Sequence, residues 1–180
     1  MSAPNKSELR NRLKIERQNL SKQFALRASK KIALNCIKHI RWKNIQSIHC
    51  YVPIWKEFET DSWPILEYIW AKYPDILTVV PRLNSEEEYD SVEVSPKTKW
   101  KQDGVRIPEP IDGKILDSST QFDVVIVPML GFVESGHRLG HGKGWYDRFL
   151  ASQFSAYTIG LSYELGLVQD GLPADVPNSQ

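Results

Sequence analysis

Apolar and polar positions change period several times along the chain, and each change marks an element. Over residues 6–20 the apolar Leu9, Leu13 and Leu20 fall on one stripe, with Ile15 and Glu16 near its edges, which is the pattern of an amphipathic helix. Ser21 then offers a side-chain oxygen to cap a second helix running to about Ile40. Residues 45–52 (IQSIHCYV) read as a strand and Trp63–Lys72 as a helix. Residues 76–80 (ILTVV) read as a buried strand stopped by Pro81, since proline has no N–H for the ladder. Residues 84–119 are polar and broken by Pro96, Pro108 and Pro110, which predicts a hairpin and long loops over the sheet's C-terminal edge. Residues 122–127 (FDVVIV) are a β-branched run of the kind buried on both faces of a parallel sheet. Trp145–Ala151 carries apolar residues at helical spacing, and Tyr157–Leu161 is the last strand. This alternation predicts an α/β domain whose open, largely parallel sheet is flanked by helices, with ligands at the carboxyl edge of the strands.

A chain of 180 residues is long enough to bury the core of one domain. Hydrophobic residues at 41% and charged residues at 25% are the balance of a soluble globular protein rather than a disordered or membrane one. No apolar run approaches the roughly 20 residues of a membrane span. Lys6, Glu8 and Arg10 stand where a secretory signal needs an apolar stretch, so a cytoplasmic, non-membrane protein is expected. Cys36 and Cys50 form no CxxC pair, which favours two reduced thiols over a disulfide or zinc site. A net charge of +1, with no basic stripe interleaved with aromatics, argues against a nucleic-acid-binding module, although local basic clusters can hold one nucleotide. A monomer is expected.

Candidate chemistry concentrates in residues 127–148, VPMLGFVESGHRLGHGKGWYDR. Gly140, Gly142 and Gly144 alternate with His141 and Lys143, so backbone N–H groups can approach an anion without Cβ obstruction. Arg138 and Lys143 supply the opposite charge. The loop is expected to run from the strand at 122–127 into the helix Trp145–Ala151, where a helix start favours phosphate; the competing reading is a plain glycine-rich turn. The spacing is neither GxxxxGK[ST] nor GxGxxG, so neither a P-loop nor a dinucleotide mechanism applies. His137 and His141 are four apart but lie in a loop, which leaves transition-metal ligation without a secured geometry. No Ser-His-Asp grouping and no basic surrounding for the cysteines supports covalent catalysis.

LGHGKGWYDR, preceded by VPMLGF and Gly136, closely resembles the signature VPGLAFD..G.RLG.G.GYYDR of the 5-formyltetrahydrofolate cyclo-ligases, also called methenyltetrahydrofolate synthetases. Further matches follow in the family's order: Lys6-x-x-x-Arg10, YVPIWKEFET from Tyr51, VVPR ending at Arg82, GVRIPEP from Gly104 and LPADVP from Leu172. The resemblance covers nearly the whole chain. It implies the open sheet shared with ribose-5-phosphate isomerase and CoA-transferase-like proteins. It also implies an ATP- and Mg²⁺-dependent conversion of 5-formyltetrahydrofolate to 5,10-methenyltetrahydrofolate, in which phosphorylation of the formyl oxygen lets N10 close the ring.

By the same resemblance, Lys6, Arg10, Arg138, Leu139, Gly140, His141, Gly142, Lys143, Gly144, Trp145 and Tyr146 bind ATP, with Lys143 and Arg138 as the catalytic cations. Val52, Glu57 and Trp145 fall at substrate positions, and Asp147 and Asp175 at metal positions. The residues themselves leave alternatives. Lys6 and Arg10, at i and i+4, share a helical face that suits a triphosphate or simply water. Asp147 fits either a Mg²⁺ ligand or a carboxylate capping the first turn of its helix, and Asp175 either a ligand or a loop aspartate. Glu57 suits the pterin's N–H edge, but Glu59 would share its face in a strand, and the residues alone do not choose between them. Trp145 and Tyr146, replacing the family's frequent Tyr-Tyr, form an aromatic wall or pack the helix start. Three departures stand out: Met129-Leu130 for Gly-Leu, no methionine over 86–92, and an end at Gln180 before the family's short final strand. They leave an alternative, a non-catalytic nucleotide- or folate-binding homologue with a drifted folate pocket, against which the intact Glu57 argues.

Overall fold

The computed structural model describes residues 5–84, 88–101, 107–169 and 171–173. In chain order its elements are α1 (Lys6–Gln18), α2 (Lys22–His39), β1 (Ser47–Cys50), α3 (Trp63–Lys72), β2 (Leu77–Leu83), β3 (Tyr89–Val94), β4 (Trp100–Lys101), β5 (Glu109–Pro110), β6 (Val124–Pro128), β7 (Gly131–Phe132), β8 (Arg138–Leu139), α4 (Trp145–Ala151) and β9 (Tyr157–Leu161). The main sheet has the order β3-β2-β1-β6-β9; β3 is antiparallel to β2, and the other neighbours are parallel. This is the largely parallel α/β sheet that the alternation predicts, with an antiparallel edge strand folded back from the polar region 84–119.

Period-two alternation splits the core between the two faces of the sheet. Ile48, Cys50, Val124 and Ile126 face α2 and α3, meeting Ala33, Ile37, Ile65 and Ile69. Val79, Val125 and Val127 face the other way, onto Phe122 and the Phe149 side of α4. A third, smaller cluster joins Leu9 and Leu13 of α1 to Val133, Leu139 and Val168, so α1 lies across the β7–β8 hairpin. That helix begins with a capping box: Asn5 Oδ1 accepts from the Glu8 N–H, and Glu8 Oε2 accepts from the Asn5 N–H. Ser21 caps α2 as expected, its Oγ accepting from the Phe24 N–H at 3.2 Å.

Several expectations are corrected. α1 stops at Gln18, so Leu20 lies beyond it and Arg17 takes the third buried place on the stripe after Leu9 and Leu13. β1 spans four residues rather than eight. β2 does not stop at Pro81 but continues to Leu83, because β1 pairs no further than Val79 and the missing N–H falls where one side of β2 has no neighbour. The loops over 84–119 supply β3, the β4–β5 ribbon and an antiparallel bridge between Val92 and Ile115. The chain also does not pass directly from β6 into the glycine loop, because the β7–β8 hairpin intervenes. Cys36 and Cys50 are free and buried, and burial pushes the Cys36 thiol up to about 12, which removes its reactivity. Among the described residues no helix is long and apolar enough to cross a membrane.

Candidate active site

Residues 140–144 hang between β8 and α4. Gly142 takes a left-handed backbone (φ 97°), which is what calls for glycine at this position, and the Arg10 side chain of α1 lies against it. Arg10 Nε donates to the Gly140 carbonyl at 3.0 Å. Gly144 caps α4, and its carbonyl accepts from the N–H groups of Asp147 and Arg148. The loop is thus strapped down by α1 on one side and α4 on the other.

Beside the loop lies an open cavity of about 1200 Å³, lined among others by Lys6, His137, Arg138, Asp147, Thr158 and Leu172. Lys6, Arg138 and Asp147 are therefore brought together as the sequence suggests. Arg138 Nη2 donates to Asp147 Oδ1 at 2.5 Å, and its guanidinium stands 6.0 Å from the Tyr146 ring centroid. Asp147 spends one oxygen on Arg138 rather than on capping α4, and 74% of its side chain remains exposed. Mg²⁺ commonly takes one or two carboxylates and completes its shell with phosphates and water, so this exposed carboxylate beside an open, cation-lined cavity fits it. Asp175 lies outside the described residues. Lys143 is exposed, with its carbonyl facing Arg148 Nη1 at 3.4 Å. His137 and His141 diverge: His137 Nδ1 meets Ser135 Oγ, whereas His141 turns away from the cavity. Among the described residues, no three or more His, Cys, Asp and Glu side chains are gathered in one place, which gives the two histidines no transition-metal cage.

His141 enters a cluster of charges on the far side of the loop. Its Nε2 lies 3.1 Å from Arg17 Nη2, 3.3 Å from Glu57 Oε2 and 3.3 Å from Glu59 Oε1, and Arg17 Nη2 lies 3.5 Å from Glu57 Oε2. The two glutamates do not share a face through a strand, as the sequence reading has it. Trp55–Glu57 is a 3₁₀ turn ended by Phe58 in the left-handed region (φ 52°), and this reversal aims both carboxylates at His141. Glu59 is buried and accepts from the Ile54 N–H at 2.8 Å. Burial pushes its carboxyl up to about 7, against the Ile54 N–H and Arg17, which pull it down. Glu57 Oε2 is buried beside Arg17 and His141 without a hydrogen bond, while 28% of the Glu57 side chain stays exposed. Burial first, and Arg17 second, hold His141 down at about 4. Its Nε2 has two competing uses: bare, it accepts from Arg17; protonated, it donates to Glu57 or Glu59.

Next to this cluster stands an aromatic wall. Trp145 stacks on Phe149 (4.9 Å, 10°), meets Tyr146 edge-on at 4.5 Å, and faces Tyr89 of β3 at 5.0 Å. Tyr146 is the member of the pair that packs into the core, and its hydroxyl is buried without a partner. Trp145 stays partly exposed. Val52 is 3% exposed inside the main core cluster and presents no open surface. Three residues at the site are absent from the sequence reading. Arg17 follows Arg10 by seven residues, on the same helical face, and that spacing is a signal the sequence carries. Tyr89, within the segment lacking the expected methionine, reaches Trp145 only through β2–β3 pairing. His49 on β1 is fully buried between Phe122 and Phe149 with neither ring nitrogen hydrogen-bonded, and nothing in the sequence marks it.

A family model described as the 5-formyltetrahydrofolate cyclo-ligase family matches residues 2–178. A curated relative from Mus musculus named 5-formyltetrahydrofolate cyclo-ligase is 27% identical over 176 residues, spanning 88% of this chain and 82% of the relative. One of the same name from Haemophilus influenzae is 24% identical over 183 residues, covering 98% and 96%. Among solved structures, the Aquifex aeolicus 5,10-methenyltetrahydrofolate synthetase superposes with a TM-score of 0.77 at 28% identity, covering 95% of this chain and 84% of that one. A 5,10-methenyltetrahydrofolate synthetase from Mycoplasma pneumoniae shares the fold with a TM-score of 0.73 at 23% identity, covering 96% and 92%.

Proposed function

The chain belongs to the 5-formyltetrahydrofolate cyclo-ligase family, and from that premise we propose that it closes 5-formyltetrahydrofolate to 5,10-methenyltetrahydrofolate at the expense of ATP. The observation that carries this reading is the glycine loop's position between two half-sites. Lys6, Arg138 and Asp147 line the cavity on one side, and Glu57, Glu59 and Trp145 lie on the other.

The chemical obstacle is the formyl oxygen, a poor leaving group on an amide-like carbon. Transfer of the γ-phosphoryl of ATP to that oxygen releases ADP and makes it a phosphate leaving group. N10 then attacks the activated carbon, loses its proton, and expels inorganic phosphate as the methenyl bridge forms. Phosphoryl transfer asks mainly for positioning and charge neutralisation. Lys6, Arg10, Lys143 and the N–H groups of residues 139–146 are assigned to the triphosphate, and Arg138 and Lys143 to the charge that develops on the transferring group. Asp147, with Asp175 by resemblance, is assigned to Mg²⁺, which when bound neutralises phosphate oxygens. The exposed part of Glu57 is assigned to the pterin N–H edge, and the partly exposed Trp145 to stacking on the ring.

The test is absorbance at the methenyl product's band after mixing the protein with 5-formyltetrahydrofolate, ATP and Mg²⁺, beside Lys143→Ala and Asp147→Asn. The band should grow with the wild type and fall at least about 100-fold in rate with Lys143→Ala, the usual cost of removing one stabiliser of transition-state charge. Asp147→Asn should require more Mg²⁺. No band, despite binding of both substrates, would replace this reading with a non-catalytic binding protein.

A further inference from the structure

The glycine loop reaches both half-sites through one side chain. The backbone around His141 belongs to the nucleotide side, where Arg10 holds the Gly140 carbonyl and lies against Gly142. Its ring belongs to the folate side, where Arg17 and Lys14 of α1, Glu57 of the 3₁₀ turn and Glu59 just after it are the charged groups acting on it. Arg17 is buried and continues the helical face of Arg10, so one rigid helix braces the loop backbone and the carboxylate pair together.

We infer that His141 couples the two substrates, so that nucleotide on the glycine loop tightens folate at Glu57, with Arg17 as the positioning residue. The inference rests on the proposed reaction. Its physical basis is the competition at Nε2. A polyanion against Arg10 and Lys143 lowers the positive potential around the ring and favours the protonated form, in which Nε2–H points to the glutamates instead of accepting from Arg17. An Nε2–H donating to Glu57 or Glu59 fixes the orientation of the carboxylate that the pterin N–H edge meets, so the ring state that nucleotide favours is also the one that orders the folate's acceptor. Two ligands that favour one state bind with positive coupling, and the coupling is reciprocal.

Calorimetric titration of the full chain with 5-formyltetrahydrofolate, with and without a saturating non-hydrolysable ATP analogue and Mg²⁺, measures this without turnover. The wild-type folate affinity should rise at least about fivefold with the analogue, and the analogue's affinity by the same factor with folate. In His141→Ala the ratio should fall to about one, whatever happens to each affinity alone. His141→Gln, which retains an N–H donor that does not titrate, should fall between the two. A general loss of structure weakens both ligands but leaves their ratio intact. Independent binding in the wild type, an undiminished ratio in His141→Ala, or a Gln variant no better than Ala would overturn the coupling while leaving the reaction standing. Failure of both ligands to bind the wild type would overturn the reaction and the coupling with it.

Discussion

Replacing Arg17 by methionine keeps the apolar stem and removes the guanidinium from beside Glu57 and His141. Two unit charges 3.5 Å apart attract by roughly 5 kcal/mol at an effective dielectric of about 20. Desolvation of the guanidinium offsets part of this, and Arg17 Nε is itself buried without a hydrogen bond. Removing one partner of a buried pair nevertheless costs about 3–5 kcal/mol, because the remaining charge is left uncompensated. Glu57 keeps 28% of its side chain exposed and can turn toward water, whereas Glu59 at 4% cannot, so the lower end, about 3 kcal/mol, is expected for Arg17→Met. Urea unfolding followed by tryptophan fluorescence measures it as a shift of the midpoint at constant slope. Adding Glu59→Gln removes the stranded carboxylate, and the double variant should recover about 1 kcal/mol or more relative to additive single effects. A loss under about 1 kcal/mol together with strict additivity would refute the idea that the cluster is energetically connected.

Glu59, whose carboxyl sits at about 7 in the folded chain against an ordinary 4.5, holds a proton across that window that the unfolded chain has released. Its contribution to stability is complete below 4.5 and is lost as pH rises through 7, so the stability of Glu59→Gln relative to wild type should grow over that range by up to roughly 3 kcal/mol, and a flat difference would contradict it. His141 at about 4 and His49 at about 3, against an ordinary 6.5, run the opposite way: their contribution is present above 6.5 and is lost as pH falls through those values. His49→Phe should therefore flatten the acid limb of the stability curve and, by removing two unpaired buried nitrogens, be neutral or stabilising at pH 7 by about 1 kcal/mol; a loss above about 2 kcal/mol would mean the ring has a partner. Gly131→Ala would set a Cβ 2.7 Å from Leu13 Cδ1 and 3.0 Å from the Gly166 carbonyl oxygen. It should cost about 1–3 kcal/mol and raise the KM for ATP as α1 is pushed off the loop, and an unchanged Tm would count against that packing.

Local pattern was enough wherever one period held. The capped start of α2, the exposed and buried sides of α3 and the β-branched run of β6 follow from hydrophobic spacing and a serine at the right place, because those choices are made within a few residues. The loop's candidate chemistry was visible in the same way, since alternating glycines with Arg138 and Lys143 suit an anion, although a plain glycine-rich turn has the same local pattern. Short-range spacing also placed Lys6 and Arg10 on one face, and Arg17 could have been added by the same rule.

What the tertiary structure decided is which distant pieces meet. Pro81 is tolerated in β2 because β1 ends early, a fact about a neighbouring strand rather than about proline. Glu57 and Glu59 converge because Phe58 reverses the chain, and they gain a partner 84 or 82 residues away only when α1, the 3₁₀ turn and the glycine loop pack together. Tyr89 reaches Trp145 through strand register, and His49 loses both hydrogen-bond partners because its strand lies at the centre of the sheet. The sequence by itself determined the fold class and most of the helices and central strands, which depend on near neighbours, but not where β1 and β2 end or the β7–β8 hairpin. Burial and long-range contact decided the charge preferences around His141, because loss of water and the pull of nearby charges depend on what surrounds a group in space.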